Sequence, residues 1–317
     1  MVGVLDVACE VYRRQLFALE GARALAYLRE RGLTDATIER WGLGWSGDGG
    51  GDDPLLAVMA KDGLLQAGLR DGLLTDPGDG RPLRPFFFNR VMFPIVDRNG
   101  LVVSFGGRVV GDGCPKYVNG RETPMFSKRR TLFGLHAATA VVRDGAPLVV
   151  VEGYMDVIAL HQAGFNGAVA ALGTALGVGQ LEELWRLSPQ PVLCFDGDEA
   201  GQHAALRLAE LALPLLTSQR SLRFAVLPKG KDPCLLVRES GPGAFEAVLH
   251  GSRDMCSFWV DGVLGAMSRD TPEQRVLVTR RLRGNIDKIL DVAMRSQYRD
   301  EVRHRRWVVG VRHGAGV

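Results

Sequence analysis

Five carboxylates follow short apolar runs that are typical of strands, in positions from which they could bind cations together. They are Glu152, Asp156, Asp196, Asp198 and Asp232. Because ligands of open α/β sheets bind outside the carboxyl ends of the strands, we expect these side chains to converge on one edge. Unpaired carboxylates at close range repel one another, so such a cluster requires a cation. A ligand set made of oxygen alone favours Mg²⁺ or Mn²⁺, and two such ions suit in-line displacement at phosphorus.

A simpler interpretation exists for each acid taken alone, since Asp and Glu commonly cap helices or lie on the surface. A lone Asp-x-Asp motif is more often a cap or a surface pair. Here, however, Glu152 ends one predicted strand, and Asp196 and Asp198 follow another further along the chain. This arrangement favours the metal site.

The elements that must hold these acids alternate between strand and helix patterns. Strands are predicted at residues 148–151, 167–172, 192–195 and 222–228, and helices at 155–163, 179–187 and 202–216. The short, continuous apolar runs are typical of strands that are buried on both faces. Strands that alternate with helices of this length indicate βαβ units. We therefore predict a domain with a doubly wound parallel sheet over residues 145–242.

Different patterns flank this sheet on both sides. Residues 1–144 combine helical stretches with two β-rich runs around Asn99-Gly100, a strong hairpin signal, which predicts a mixed α+β lobe with a small antiparallel sheet. Residues 243–317 return to helices, and Thr271 with Gln274 forms a capping box at the start of one of them. The predicted fold class is therefore α/β combined with α+β, ending in a helical subdomain.

Charge is divided along the chain, although the formal net charge is only +3. Residues 81–130 contain ten basic and three acidic side chains, whereas residues 148–232 contain nine acidic and six basic ones. A basic segment followed by an acidic one suggests that one region binds a polyanion and the other a metal cation. Two solvated faces would produce the same pattern, so charge alone does not decide between them.

The composition excludes several classes of protein. Of the 317 residues, 46% are hydrophobic and 24% charged, which is typical of a globular chain and unlike a disordered or collagen-like one. The five cysteines are far apart and form no Cys-x-x-Cys pair, so we expect neither a disulfide framework nor zinc. No apolar run approaches the roughly 20 residues that span a bilayer. We expect a cytoplasmic protein without a membrane partner.

Several motifs resemble those of bacterial DnaG-type DNA primases. They are VVVEGYMDVIAL, VLCFDGDEAG and LPKGKDP in the predicted sheet, with RVMFPIVDRNGLVVSFGGRVV and PKYVNGRETPMFSKRRTLFGLHAA upstream. EGYMD, FDGD and FGGR with PKY are specific to that family, and the resemblance covers about residues 22–250, with a looser fit to about 307. It implies an RNA-polymerase core that contains a Toprim domain. Such a core makes short RNA primers on single-stranded DNA by metal-dependent nucleotidyl transfer, at the replication fork in the bacterial cytoplasm.

The resemblance also implies roles for individual residues. Glu152 corresponds to the general base and forms the catalytic set with Asp196 and Asp198. The implied metal ligands are Glu152, Asp156, Asp196, Asp198 and Asp232. The residues that correspond to those holding the template and the phosphates of incoming nucleotides are Arg90, Arg108, Lys116, Tyr117, Asn119 and Lys128.

The resemblance further implies a cofactor and partners. The cofactor is Mg²⁺ or Mn²⁺, and no zinc is expected in this chain. The partners are a single-stranded DNA template, nucleoside triphosphates and the RNA primer. The replicative helicase is a further candidate, although the family's helicase-binding domain and its zinc ribbon have no counterpart among these residues. We therefore expect the chain to represent the catalytic core.

The sequence departs from the family pattern at three positions. Cys234 stands where the family has a second acid after Asp232, Phe88 replaces an arginine, and Arg129 replaces a glycine. Because a thiol is a poor Mg²⁺ ligand, we expect low activity with Mg²⁺, partial rescue by Mn²⁺, and a gain from Cys234→Asp.

Two other functions stay open at this point. A Toprim-type metal-dependent nuclease would use the same acids. A topoisomerase would also need a catalytic tyrosine, and none of the tyrosines lies in a recognisable motif of that kind. A non-catalytic protein that binds single-stranded DNA would be consistent with Cys234 and with the missing zinc ribbon.

Overall fold

An antiparallel sheet flanked by short helices forms the N-terminal lobe. The computed structural model describes residues 3–49, 53–173 and 175–312. The elements of this lobe are α1 (Val4–Phe17), α2 (Ala22–Glu30), α3 (Asp35–Arg40), β1 (Gly44–Trp45), α4 (Pro54–Lys61), α5 (Leu65–Arg70), β2 (Leu74–Thr75), β3 (Arg84–Pro85), β4 (Arg90–Val96), β5 (Val102–Val109), β6 (Tyr117–Asn119) and α6 (Leu135–Arg143). The main sheet has the order β1-β4-β5-β6, and β2 pairs with β3 separately.

The β4–β5 hairpin is the longest antiparallel pair of the lobe. Arg90 pairs with Val109 at its open end and Val96 pairs with Val102 next to the turn. Gly100 in the turn has a φ of +89°, a conformation that glycine adopts without a steric penalty. The hairpin predicted from Asn99-Gly100 is confirmed.

The central sheet carries the strand and helix alternation that the sequence predicts. Its elements are β7 (Val149–Val151), α7 (Tyr154–Gln162), β8 (Ala168–Ala170), α8 (Val178–Leu187), β9 (Val192–Phe195), α9 (Glu199–Ala212), β10 (Arg223–Val226), α10 (Pro233–Ser240), α11 (Pro242–His250) and β11 (Arg253–Asp254). The strand order is β11-β10-β9-β7-β8, and the pairs among β8, β7, β9 and β10 are parallel.

The two edges of this sheet depart from the parallel pattern. Strand β11 pairs antiparallel with β10, because the chain returns along that edge after α10 and α11. At the opposite edge, Phe133 forms an antiparallel bridge with Ala170 of β8. The doubly wound parallel sheet is confirmed for the four predicted strands, and β11 is an addition, because a charged two-residue strand lacks the apolar run that reveals the others.

Successive side chains of the buried strands point to opposite faces of the central sheet, so they belong to two separate hydrophobic cores. Val150 and Leu193 face a core completed by α6, α8, α9 and the C-terminal helices α12 (Met255–Gly265), α13 (Pro272–Ile286) and α14 (Val292–Arg312). Val149, Val151 and Cys194 face the other core, which contains α7, α10, α11 and residues of the N-terminal lobe. Helices thus cover both faces, as a doubly wound sheet requires.

The C-terminal helices form the layer that the sequence predicts. The Thr271 hydroxyl accepts a hydrogen bond from the N–H of Gln274, and the Gln274 side chain accepts one from the N–H of Thr271, which completes the capping box. The boundary predicted after residue 144 falls between α6 and β7, and the one after residue 242 falls within α11. The division into three domains stays a prediction. Over the described residues, no helix is long and apolar enough to cross a membrane.

Candidate active site

The loops after β7, β9 and β10 meet at one edge of the central sheet and carry the predicted acids. Glu152 directly follows β7, and Asp156 lies in the first turn of α7. Asp196 directly follows β9, Asp198 is the N-cap of α9, and Asp232 is the N-cap of α10. The structure therefore brings to one edge the five acids that the strand pattern indicates.

Two glycines allow the loop after β9 to pack closely against the loop after β10. The N–H of Gly197 donates to the Lys231 carbonyl at 2.9 Å. A Cβ atom at Gly197 would lie 2.1 Å from the carbonyl oxygen of Pro228, and one at Gly201 would lie 2.3 Å from that of Asp196. A side chain at Gly197 would push the two acid-bearing loops apart, and one at Gly201 would displace the backbone of Asp196 within its own loop.

Burial and mutual repulsion disfavour ionisation of two of the acids. Burial, followed by the charges of Asp232 and Asp196, raises the pKa of Asp156 to about 7. Burial, followed by the charge of Glu152 and then of Asp232 and Asp198, raises the pKa of Asp196 to about 7. Shifts of this kind are characteristic of acids that share a site without a neutralising cation.

The donor set fits a hard divalent cation. Asp196 Oδ1 is buried and has no hydrogen-bond partner among the described residues. Asp198 and Asp232 instead accept hydrogen bonds from the backbone N–H groups of Gly201 (2.7 Å) and Leu235 (2.5 Å). In this arrangement no three Asp, Glu, His or Cys side chains of the described residues are grouped tightly enough to hold a metal ion. Binding one therefore requires these oxygens to approach more closely, as a cation would induce.

A basic side chain, that of Arg31, also lies at this edge and was not predicted from the sequence. Burial acts to lower the pKa of Arg31, but Tyr27, Cys234 and Asp232 outweigh it and raise that pKa. Arg31 Nε is buried without a hydrogen-bond partner among the described residues. The chain reverses at Gly32, whose φ is +91°, and this turn brings the end of α2 towards α10. The one signal for Arg31 in the sequence is its position, as a basic residue just before the glycine that ends a helix.

Cys234 lies beside the acids, and burial, together with the charges of Asp156 and Asp232, acts to raise the pKa of its thiol. It is only 2% exposed, and its Sγ lies 3.9 Å from the carbonyl oxygen of Arg31. Its backbone N–H donates to Asp156 Oδ1 at 3.3 Å. The thiol therefore occupies a packed position between α2 and α10, and the residue supports the site through its backbone.

Tyr154 joins the acidic edge to the N-terminal lobe. Its hydroxyl donates a hydrogen bond to the side-chain oxygen of Asn119 on β6, and its ring stacks on Phe93 of β4 with centroids 5.1 Å apart. A Cβ atom at Gly106 would lie 2.6 Å from the Tyr154 ring. The FGGR and EGYMD motifs are thus in direct contact, and Asn119 contacts Tyr154, which lies between Glu152 and Asp156 in the chain. Binding of DNA or nucleotide by Asn119 stays a prediction.

Arg108 and Tyr117 lie on the same face of the antiparallel sheet as Asn119, because Arg108 pairs with Tyr117 and Asn119 is two residues further along β6. The Arg108 guanidinium carbon lies 4.3 Å from the ring centroid of Tyr27 and 5.6 Å from that of Tyr117. Both distances are typical of cation–π contacts. Lys116 and Tyr117 are exposed. Arg108 on β5 therefore lies between two tyrosine rings, and Lys116 is an exposed residue directly before β6.

Arg90 differs from the other predicted basic residues because its side chain is buried. Its guanidinium donates to the carbonyls of Gly107 (3.3 Å), Lys116 (3.2 Å) and Pro115 (3.0 Å). These contacts hold the loop between β5 and β6. Direct binding of DNA or nucleotide by Arg90 stays a prediction, and the contacts observed are those of a residue that positions Lys116.

Lys128 lies in the loop between β6 and α6. Its backbone N–H donates to the Glu122 carboxylate at 2.8 Å, and its carbonyl accepts from the Gln180 side chain at 2.9 Å. The loop is therefore held by its backbone, and α8 of the central sheet supplies one of the contacts.

Two protein-family profiles match the chain, and they define the class of fold and site. A profile described as the N-terminal domain of the DNA primase catalytic core matches residues 11–139. A Toprim profile matches residues 146–224, which include the acids after β7 and β9. The chain thus combines a primase N-terminal lobe with a Toprim domain, and this family uses divalent metal ions.

Curated relatives and solved structures agree with this class. The DNA primase of Pseudomonas aeruginosa is 45% identical over 246 residues, which are 77% of this chain and 37% of that protein. The DNA primase of Escherichia coli K12 is 37% identical over 299 residues, covering 94% of this chain and 51% of that protein. The chain therefore spans about half or less of the length of these curated relatives.

Among solved structures, the E. coli primase catalytic core has a TM-score of 0.84 at 36% identity and covers 94% of this chain and 95% of that one. A DnaG primase catalytic domain bound to ssDNA has a TM-score of 0.82 at 35% identity, with 95% and 96% covered. The chain belongs to the DNA primase family and corresponds to its catalytic core.

Proposed function

We propose that this chain is a primase catalytic core that synthesises short RNA primers on a single-stranded DNA template. The observation that carries the proposal is the contact between Tyr154 and Asn119, because it joins the acidic edge to β6, where Tyr117 lies beside Arg108. Acids that bind metal ions and basic groups that bind phosphates are both needed for nucleotidyl transfer. The ssDNA-bound catalytic domain supports the choice of template.

In the proposed reaction a 3′ oxygen attacks the α-phosphorus of a nucleoside triphosphate, and the bond to the leaving pyrophosphate breaks. Glu152, which is exposed at the sheet edge, accepts the proton of the attacking hydroxyl as general base. Arg108, Lys116 and Lys128 orient template and triphosphate through their phosphates. Arg90 acts indirectly, because it fixes the carbonyl of Lys116.

The proposed cofactor is Mg²⁺ or Mn²⁺. Asp196 and Asp198 would hold it, with Glu152, Asp156 and Asp232 as the remaining acids of the edge. When bound, the ion neutralises charge on the reacting phosphate oxygens. Asp196 carries the strongest reason for this assignment, since its buried Oδ1 has no partner among the described residues.

A synthesis assay tests this function against the two alternatives. The chain is incubated with a single-stranded template, labelled nucleoside triphosphates and either Mg²⁺ or Mn²⁺. We expect labelled RNA of short length. A shortened template would instead identify a nuclease, and a template that is shifted in a gel but unchanged would identify a binding protein. The curated relatives are bacterial primases, so the proposed location is the replication fork in the cytoplasm, where the helicase is a proposed partner.

A further inference from the structure

The N-terminal turn of α8 forms hydrogen bonds with the loop that carries Lys128. Gln180 is fully buried, and its Nε2 donates to the carbonyls of Lys128 (2.9 Å) and Thr131 (3.2 Å). Its Oε1 accepts from the N–H of Gly177 at 3.0 Å. Both amide protons and one acceptor site are therefore used, so the side chain is fixed in one orientation.

Two neighbours of Gln180 contact the same loop. A Cβ atom at Gly179 would lie 3.1 Å from the carbonyl oxygen of Arg129, so the loop packs directly on the backbone of α8. Glu183, one turn further on, is buried and pairs with Arg98 and with Arg186, the latter at 2.7 Å, while Arg130 lies 3.9 Å away. The helix therefore contacts the loop at three positions within its first two turns.

The loop itself is a closed turn. The N–H groups of Arg130 and Thr131 both donate to the Ser127 carbonyl, at 3.1 and 2.8 Å. Gln180 binds the carbonyls at both ends of this turn, and Glu122 binds the N–H of Lys128. The hydrogen bonds described for Lys128 are thus made by its backbone, which leaves its ammonium group for a ligand.

We propose that Gln180 is a positioning residue that fixes Lys128 for contact with a phosphate group. The inference rests on the proposed function, because it takes Lys128 to bind either the template backbone or the triphosphate. Removing the amide leaves two carbonyls without their donor, and the turn relaxes to satisfy them elsewhere. An ordered lysine loses less conformational entropy on binding than a mobile one, so the relaxed loop binds phosphate more weakly.

A double-mutant cycle between Gln180→Met and Lys128→Ala tests the proposal. Two quantities are measured for each variant: the Kd for a fluorescein-labelled single-stranded oligodeoxynucleotide, by anisotropy, and the KM for nucleoside triphosphate in primer synthesis. We expect Gln180→Met to raise one of them about five- to tenfold, with little change in kcat. We expect the same substitution to change that quantity less than about twofold in the Lys128→Ala background, since coupled residues are not additive.

Controls separate positioning from a general loss of structure. Gln190→Met makes the same substitution at an exposed residue and should leave both quantities unchanged. Gln180→Leu likewise cannot donate to the two carbonyls and adds no charge, so it should reproduce Gln180→Met. It also replaces that variant if Gln180→Met does not fold.

The outcomes are decisive in each direction. Equal effects of Gln180→Met in the parent and in Lys128→Ala would overturn the proposal. It would also be overturned if Gln180→Met, or Lys128→Ala, changed neither the Kd nor the KM. A change in the Kd identifies the phosphate as one of the template, and a change in the KM identifies it as one of the triphosphate. A parent that makes no RNA contradicts the proposed function but leaves the oligonucleotide cycle readable.

Discussion

Glu152 contacts Asp196 through the backbone N–H of that residue, at 2.9 Å from Glu152 Oε1, and not through a shared proton between carboxyl groups. The contact ties the end of β7 to the end of β9. A glutamine at position 152 can accept the same hydrogen bond but cannot act as a base at neutral pH. The two roles of this side chain, structural and chemical, are therefore separable by experiment.

We expect Glu152→Gln to reduce primer synthesis at least about 100-fold while the free energy of unfolding changes by less than about 1 kcal/mol. Removing one negative charge also relieves repulsion within the acid cluster. Synthesis is measured with labelled nucleotides and stability by urea unfolding. Glu182→Gln, at an exposed site on α8, is the matched control. Synthesis within about twofold of the parent would falsify the assignment of Glu152 as general base.

The lysines of the N-terminal lobe should determine how binding of single-stranded DNA depends on salt. Each phosphate neutralised on a single strand contributes roughly 0.7 to the slope of log K against log salt concentration. The double variant Lys116→Ala and Lys128→Ala should therefore flatten this slope by up to about 1.4. Lys288→Ala, in the C-terminal layer, serves as the control and should leave it unchanged. An unaltered slope in the double variant means that neither lysine contacts a phosphate of the template.

Cys234→Asp should make stability depend more strongly on a divalent cation. The new carboxylate is buried beside Asp156, so it adds repulsion when no cation is present. We expect a lower melting temperature than the parent in EDTA and a larger rise on adding Mg²⁺, together with higher Mg²⁺-dependent synthesis. Cys234→Asn has nearly the same size without the charge and should show neither effect. Equal Mg²⁺ responses of the two variants would show that position 234 does not contribute to a metal site.

Gly106→Ala should weaken the contact between the lobes. The added methyl group would lie 2.6 Å from the Tyr154 ring, and overpacking of this kind costs about 1–3 kcal/mol. Urea unfolding measures the loss, and Tyr154→Leu in the same chain should recover part of it by removing the ring. Gly243→Ala, in a helix and with no heavy atom within 4 Å, should be neutral or slightly stabilising. A stability of Gly106→Ala equal to that of the parent would contradict the observed packing.

The acidic edge could be predicted from the sequence because two of its acids directly follow a strand pattern and the others lie in the connections that follow the predicted strands. Glu152 and Asp196 lie one residue beyond β7 and β9, and the rule that parallel strands end at the same edge brings them together without knowledge of packing. Arg31 and Gln180 could not be found in this way. Their partners lie in distant segments of the chain, and which segments meet is decided by tertiary packing. Arg90 shows the converse, since its motif predicted a ligand contact and its hydrogen bonds are made to the protein backbone.

Both edges of the central sheet are covered, which affects whether the sheet can pair with another chain. One flank is closed by Arg253 and Asp254, a strand too short and too charged to pair with another chain. The other is closed by Phe133, whose N–H and carbonyl both bond to Ala170, at 2.8 and 3.0 Å. An apolar parallel sheet with bare flanks would be a template for strand addition and aggregation. Here the segments that lead into and out of the sheet protect it, so concentrated samples should resist fibril formation as long as both closures remain folded.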